Sequence, residues 1–257
     1  MRATAVKSRL DDWDRHWDDY AESAAKNPAQ AYRRRLILSL LRAGGQPQRV
    51  LDIGSGTGDL AADILRAFPK AELVGLDVSG AAVEHAARKV PAARFVQRDL
   101  LNDADGDGVP QAWATHAVCS EVLEHVLEPA RLLANARAYL APGCLLIVTV
   151  PGGPMSAFDR HIGHRRHFTR EDVRMILDEA GFETLRAELA GFPFFNAYRL
   201  TVRLRGQRLV EDAARGAGSP PARAVMKVFG ALFRLNLPRS PWGWQVVAIA
   251  RFRGSTS

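Results

Sequence analysis

The sequence predicts a doubly wound, mainly parallel α/β sheet, and three observations carry that prediction. Strand-like and helix-like stretches alternate from about residue 46 to 190, which places helices on both faces of a parallel sheet. The first strand-like run, QRVLDI, empties into a glycine loop, GSGTG, and a helix-like run, DLAADILRAF, follows at once. A later run, CLLIVTV, is apolar nearly throughout, as a strand covered on both faces should be.

Each element has a local reason. Residues 1–45 read as helices. An acidic, aromatic piece, DDWDRHWDDYAESA, sets Trp13, Trp17 and Tyr20 on one face at i, i+4, i+7 spacing. Asn27 then caps, and Pro28 opens, the run NPAQAYRRRLILSLL. After the glycine loop, Leu60, Ile64 and Phe68 keep helical spacing. AELVGLDVS is strand-like, GAAVEHAARKV helical, and ARFVQRDL and HAVCSEV are further strands. EPARLLANARAYL aligns Leu132, Leu133, Ala136 and Leu140 before Pro142-Gly143 stops it. A last core helix opens at Thr169 with Asp172 as a capping box, turns Val173, Ile176 and Leu177 inward, and closes at Gly181. Residues 191–240 then separate two strand-like runs, FETLRAEL and WGWQVVAIARF, and the composition of 214–223, ARGAGSPPAR, predicts a flexible loop.

The 257 residues suffice for a full core in a single α/β domain. No apolar run approaches the ~18 residues of a membrane span. The opening MRATAVKSRLDDWD lacks the apolar centre of a signal peptide, so a cytoplasmic protein is expected. Cys119 and Cys144 lie in apolar strands, which suits buried, reduced thiols. The net charge of +7 is local: residues 191–240 hold nine Arg or Lys against two acids, and the remainder balances.

Gly54, Gly56 and Gly58 occupy alternate positions, a G-x-G-x-G spacing that is not the dinucleotide fingerprint, and no Gly-Lys-Ser/Thr follows as in a phosphate loop. Asp59, in the first helical turn, repels phosphate. Asp77 ends the second strand, where a carboxylate accepts both hydroxyls of a ribose, and Asp99 ends the third, placed for an adenine amino group. Asp52 lies beneath the loop, placed to orient glycine amides or meet an ammonium. Three carboxylates without a cationic partner suit a cofactor that carries positive charge.

VLDIGSGTGDL, LVGLDVS, FVQRDL and SEVLEHV together resemble, in order and spacing, the class I S-adenosylmethionine-dependent methyltransferases. The EVLEH run and GHRRHFTREDVRMILDEAGF are similar to the small-molecule branch that includes ubiquinone-type and natural-product enzymes. The resemblance implies a Rossmann-like seven-stranded sheet with an antiparallel last strand, a helical lid over 1–45, a cofactor-binding core over 46–190, a basic helical insertion over 191–240, and a last strand and tail over 241–257. It implies S-adenosylmethionine as cofactor, S-adenosylhomocysteine as product, and a cofactor site of Asp52, Gly54, Ser55, Gly56, Gly58, Asp77, Val78, Asp99, Leu100, Ser120 and Glu121.

Methyl transfer requires acceptor and methyl to be held at near-attack distance, and an oxygen acceptor usually loses a proton. The catalytic candidates are His125, expected to open the helix after CSEVLE at the end of the fourth strand, and His161 and His164, which follow the fifth strand. Each competes with an ordinary role as a surface residue or local hydrogen-bond partner, and for His167 that role is favoured. Arg165 and Arg166 are set either to neutralise an acidic acceptor or simply in solvent. Asp159, His161 and His164 are hard or borderline ligands close together, which leaves a metal-dependent variant as an alternative, but their spacing matches no strong metal motif and no metal is expected. Asp103, Asp105 and Asp107 copy the start of a calcium loop, but residue 114 is Ala114 and the stretch reads as a polar loop.

Trp13, Trp17 and Tyr20 read as core packing before cofactor stacking, and Arg33 or Arg34 is placed to meet the cofactor carboxylate. The 191–240 insertion reads first as a roof over the acceptor or a homodimer contact, next as a peripheral membrane surface, and last as a nucleic-acid contact, for which no RNA-binding motif is present. The resulting expectation is methylation of a small organic acceptor, at oxygen before nitrogen. A membrane-associated quinone or lipid methyltransferase is the alternative, and a non-catalytic cofactor-binding relic the alternative of another class.

Overall fold

The structure, a computed structural model, describes residues 13–14, 27–102, 108–214 and 220–254, with side chains described outside 206–225. Seven strands form one sheet: β1 Arg49–Ile53, β2 Glu72–Asp77, β3 Arg94–Gln97, β4 Ala114–Ser120, β5 Leu140–Pro151, β6 Phe182–Ala190 and β7 Gln245–Phe252. Their order is β3-β2-β1-β4-β5-β7-β6. Strands β1 to β5 pair in parallel, and β7 runs antiparallel to both β5 and β6. The chain steps outward from β1 to β3 and returns to β4 on the other side of β1. That reversal opens a crevice at the carboxyl ends of β1 and β4, where open α/β sheets bind ligands.

The helices are α1 Pro28–Ala43, α2 Asp59–Ala67, α3 Gly80–Lys89, α4 Pro129–Ala136, α5 Ala157–His161, α6 Arg170–Glu179, α7 Phe194–Ala214 and α8 Pro220–Leu232. Their starts follow from local chemistry. The Asn27 side chain accepts from the Ala29 amide at 2.9 Å, with Pro28 in the first turn. Thr169 and Asp172 form the expected reciprocal box on α6, and Ser156 and Asp159 form a second on α5.

Strand alternation divides the core into two layers. Leu51, Ile53, Ala117, Cys119, Leu146 and Val148 pack in one layer with residues of α4 and α6, while Val50, Val118, Ile147 and Val247 join α1, α2 and α7. Each fully buried Leu or Ile there contributes roughly 1.5–3 kcal/mol. Cys119 and Cys144 are buried and free. Among the described residues no helix is long and apolar enough to cross a membrane.

Three local expectations change. The helix of EPARLLANARAYL ends at Ala136, and Leu140, Pro142 and Gly143 lie in β5. The loop over 214–223 is shorter, because α8 begins at Pro220; proline suits a first helical turn, where its missing N–H goes unused. His125 closes a single 3-10 turn, Leu123–His125, rather than opening a helix, and α4 starts at Pro129 after the non-helical Glu128. Trp17, Tyr20 and Asp103 to Asp107 lie outside the described residues.

Candidate active site

One wall of the crevice is the glycine loop. Gly54 and Gly56 have φ of 74° and 50°, a region that penalises any Cβ, and a Cβ on Gly54 would also collide with Val122. The Gly54 and Ser55 amides both donate to the Leu76 carbonyl, at 2.7 and 2.9 Å. The Gly56 and Ser79 amides donate to the two Asp77 carboxylate oxygens, at 2.8 and 2.9 Å. Asp77 therefore braces the loop against β2 and retains a lone pair on each oxygen. Burial nevertheless raises its pKa above the ordinary range, with the amide bonds opposing.

Beneath the loop Asp52 is 2% exposed, and its Oδ2 has no hydrogen-bond partner among the described residues. Burial, reinforced by the Asp77 charge, pushes its carboxyl up to about 7. The buried Ser55 Oγ is likewise without a partner among the described residues. Gly58 ends the loop as the N-cap of α2. Val78 stands 40% exposed beside Asp77. Asp99 lies two residues past β3, where it closes its own turn by accepting from the Leu101 amide and the Asn102 side chain, at 3.0 and 2.8 Å. The Leu100 side chain belongs to the core.

The other wall starts at β4. Ser120 Oγ pairs with Thr149 Oγ1 at 2.8 Å. Glu121 takes a left-handed backbone, φ 56°, and directs its carboxylate inward. Its Oε2 lies 2.9 Å from Arg33 of α1, and its Oε1 accepts from Gln245 of β7 at 2.9 Å. Arg33 also donates to Gln245 Oε1 at 2.9 Å, so three distant segments meet there. Arg34 instead pairs with Asp63 at 2.8 Å. Glu124 follows one turn later, fully buried.

Three imidazoles gather over Glu124. His125 and His164 stack edge-on with centroids 4.8 Å apart, and His164 and His167 follow at 5.5 Å. Trp13 meets His125 edge-on at 4.8 Å. His161 is exposed at the end of α5. Arg165 and Arg166 donate to the His125 and Leu127 carbonyls at 2.9 and 3.0 Å, clamping the turn. Asp159 receives both arms of Arg199 from α7, at 3.0 and 3.1 Å.

The network fixes the tautomers. A carbonyl only accepts, so His167 Nδ1, 3.0 Å from the Gly153 carbonyl, carries its proton. His167 Nε2 then accepts from His164 Nδ1 at 3.3 Å. His164 Nε2 is thereby left with a lone pair, directed toward Glu124. Burial, then the neighbouring His125, His167 and Arg199, holds His164 far below its ordinary pKa and therefore neutral. Burial raises the Glu124 carboxyl well above its usual range, with Glu121 adding to the effect.

Sequence reasoning missed Glu124, Arg199 and Gln245 as parts of the site. Each has one signal: a charge or amide inside an apolar or aromatic run, in VLEHV, FFNAYRL and WGWQVV. Without the fold such a residue reads as a stray polar position. The cleft lined by Arg174, Asp178, Glu183 and Arg253 lies at the β6 edge of the sheet and carries none of these groups.

A family model described as "Methyltransferase domain" matches residues 25–187. A trans-aconitate 2-methyltransferase of Acidovorax ebreus is 30% identical over 142 residues, covering 55% of this chain and 51% of the relative. The ubiquinone/menaquinone biosynthesis C-methyltransferase UbiE of Syntrophotalea carbinolica is 31% identical over 161 residues, 61% of this chain and 65% of the relative. The chain thus spans about half the length of the first curated relatives it matches. Among solved structures, a Haemonchus contortus phosphoethanolamine N-methyltransferase 2 with S-adenosylhomocysteine has a TM-score of 0.63 at 19% identity, over 97% of this chain and 61% of that one. The [4+2]-cyclase SpnF has a TM-score of 0.57 at 19% identity, over 88% and 83%, so the fold alone does not name a reaction. The bare glycine backbone and the orphaned Asp52 and Ser55 oxygens fit a ligand with cationic and hydroxyl groups. From the family match over more than half of its residues, the chain belongs to the class I S-adenosylmethionine-dependent methyltransferases.

Proposed function

We propose that the protein transfers a methyl group from S-adenosylmethionine to an oxygen of a small organic acceptor. The observation that carries the oxygen reading is the neutral His164, whose Nε2 lone pair is held in place by the hydrogen-bond relay from Gly153 through His167. Val122, packed against the Gly54 position, sets this histidine wall beside the glycine loop. Two relatives carry names in keeping with acid or oxygen acceptors: the trans-aconitate enzyme and a malonyl-[acyl-carrier protein] O-methyltransferase of Halalkalibacterium halodurans, 29% identical over 122 residues, 46% of this chain and 44% of that one.

When bound, S-adenosylmethionine supplies a methyl group on a positively charged sulfur, open to displacement. The chain's own residues do the rest. Asp77 offers its remaining lone pairs to hydroxyls, Asp52 offers its buried oxygen to the cationic end, and Val78 offers an apolar face to a ring. His164 Nε2 offers its lone pair to the acceptor's hydroxyl as a hydrogen-bond acceptor and orients it; held far below its ordinary pKa, it does not keep the proton, which passes to solvent. Trp13 and α7 exclude water, and holding the acceptor at attack distance supplies much of the rate. Arg33 and Arg199 are already matched by Glu121 and Asp159, so this wall offers an acceptor polar groups without a surplus of positive charge.

The test is mass spectrometry of an acceptor panel, from phenols to carboxylic acids, incubated with cofactor and protein. The expected product gains one CH2 unit, and His164→Ala lowers turnover while cofactor affinity holds. Full activity in that variant would remove His164 from catalysis. A second reading, contact with an anionic membrane, is favoured by Leu200 and Leu204, exposed at 43 and 78% on the same helix as Arg203, and by Trp242, exposed at 65%. Co-sedimentation with anionic but not neutral liposomes checks it.

A further inference from the structure

Glu124 has no role in the account so far, and its surroundings call for one. It is 0% exposed, and neither carboxylate oxygen has a hydrogen-bond partner among the described residues. Carboxylates in such a position are normally paired or bound to a metal. Glu124 Oε1 lies 3.9 Å from Nε2 of His125 and 3.9 Å from Nε2 of His164. That is too long for a hydrogen bond. It suits two ligands of one cation, since atoms each ~2.1 Å from an ion and about 110–140° apart stand roughly 3.4–4.0 Å from one another. One ligating atom from each of the three residues lies within 4.8 Å of the others.

We propose that Glu124, His125 and His164 form a site for a divalent first-row transition metal, which holds the acceptor oxygen beside the methyl donor. Two imidazoles and one carboxylate suit manganese, iron or zinc better than magnesium or calcium. The relay through His167 fixes His164 with its lone pair toward Glu124, the outer support that metal-bound histidines generally have. The neighbouring set of Asp159, His164 and His167 is spent differently. Asp159 is held by Arg199 and Ser156, and His167 Nε2 already accepts from His164.

The catalytic part of this inference rests on the oxygen-methylation reading. With the cation bound, His164 serves as a ligand, and the acceptor hydroxyl releases its proton to solvent. The oxygen lone pair then forms the O–C bond while the S–C bonding pair leaves with sulfur.

The experiment titrates Mn2+ into chelator-treated full-length protein, followed by the electron paramagnetic resonance signal of the free ion and by calorimetry. The expected result is one Mn2+ per chain, with affinity at least tenfold weaker in both Glu124→Gln and His164→Ala and unchanged in His85→Ala, which removes an exposed imidazole. Absence of stoichiometric binding, or equal affinity in Glu124→Gln, overturns the site. S-adenosylhomocysteine titrated into the same samples reports folding and separates the two claims. Cofactor binding without Mn2+ binding sinks only the metal site, whereas Mn2+ binding without cofactor binding sinks only the methyltransferase reading.

Discussion

On the β1–β2 side of the crevice, polar contacts run mainly through backbone amides, as from Gly56 and Ser79 to Asp77, with a longer-range bond from Ser79 Oγ to Asp14 at 2.6 Å. On the β4–β5 side they join side chains from α1, β4, α5, α7 and β7, as in Arg33 with Glu121 and Gln245, and Asp159 with Arg199. The first wall is a shape, made of bare loop and short acids, that any chain with the same motif can adopt. The second is a set of buried charges that exists only once the whole sheet has closed. In the function proposed above, the first wall serves the cofactor and the second is free to differ with the acceptor.

The comparison breaks most visibly where a buried charge loses its partner. Arg199→Met leaves Asp159, 1% exposed, uncompensated and should cost about 3–5 kcal/mol of stability, read from the denaturant midpoint. Adding Asp159→Asn should recover much of the loss. On the loop side, Gly54→Ala should cost roughly 1–3 kcal/mol, because alanine must adopt a φ of 74° against Val122. Val122→Ala in the same chain should relieve the steric part and leave the backbone part.

The two walls also differ in pH response. Asp52 rises from an ordinary 3.8 to about 7 on folding, so the native state binds its proton more tightly. Stability from this group is complete below 3.8 and is lost as pH climbs to about 7. A cationic cofactor favours the ionised form, so its affinity should increase with pH over that window, by up to about tenfold per unit. Asp52→Asn should flatten the profile in calorimetry. The smallest effect belongs to Arg34→Ala, whose pair with Asp63 is partly exposed and should be worth ~0–1 kcal/mol by the same denaturant assay.

The alternation of strands and helices, the starts of α1 and α6 and the glycine loop were legible because their causes are local. Asn27-Pro28, Thr169 with Asp172, and the alternation of Val50 and Leu51 each act within a few residues. The histidine wall was legible only in part. His125 and His164 stood out by type and strand-end position, but Glu124 reads as one acid in an apolar run until the fold buries it. Asp159 reads in sequence as an acid near two histidines without a strong metal spacing, and only the fold brings it Arg199 of α7, forty residues away. His161 shares a loop with His164 in sequence, yet the α5 helix leaves it exposed. Sequence spacing alone does not decide which of two neighbouring histidines faces inward.

The division between walls is tested most directly by calorimetric titration of S-adenosylhomocysteine into the wild-type, Asp77→Ala and His164→Ala proteins. The account predicts a loss of ~1–3 kcal/mol in binding for Asp77→Ala, through the charged hydrogen bonds removed, and an unchanged affinity for His164→Ala. Unchanged affinity in Asp77→Ala, or an equal loss in both variants, would contradict it.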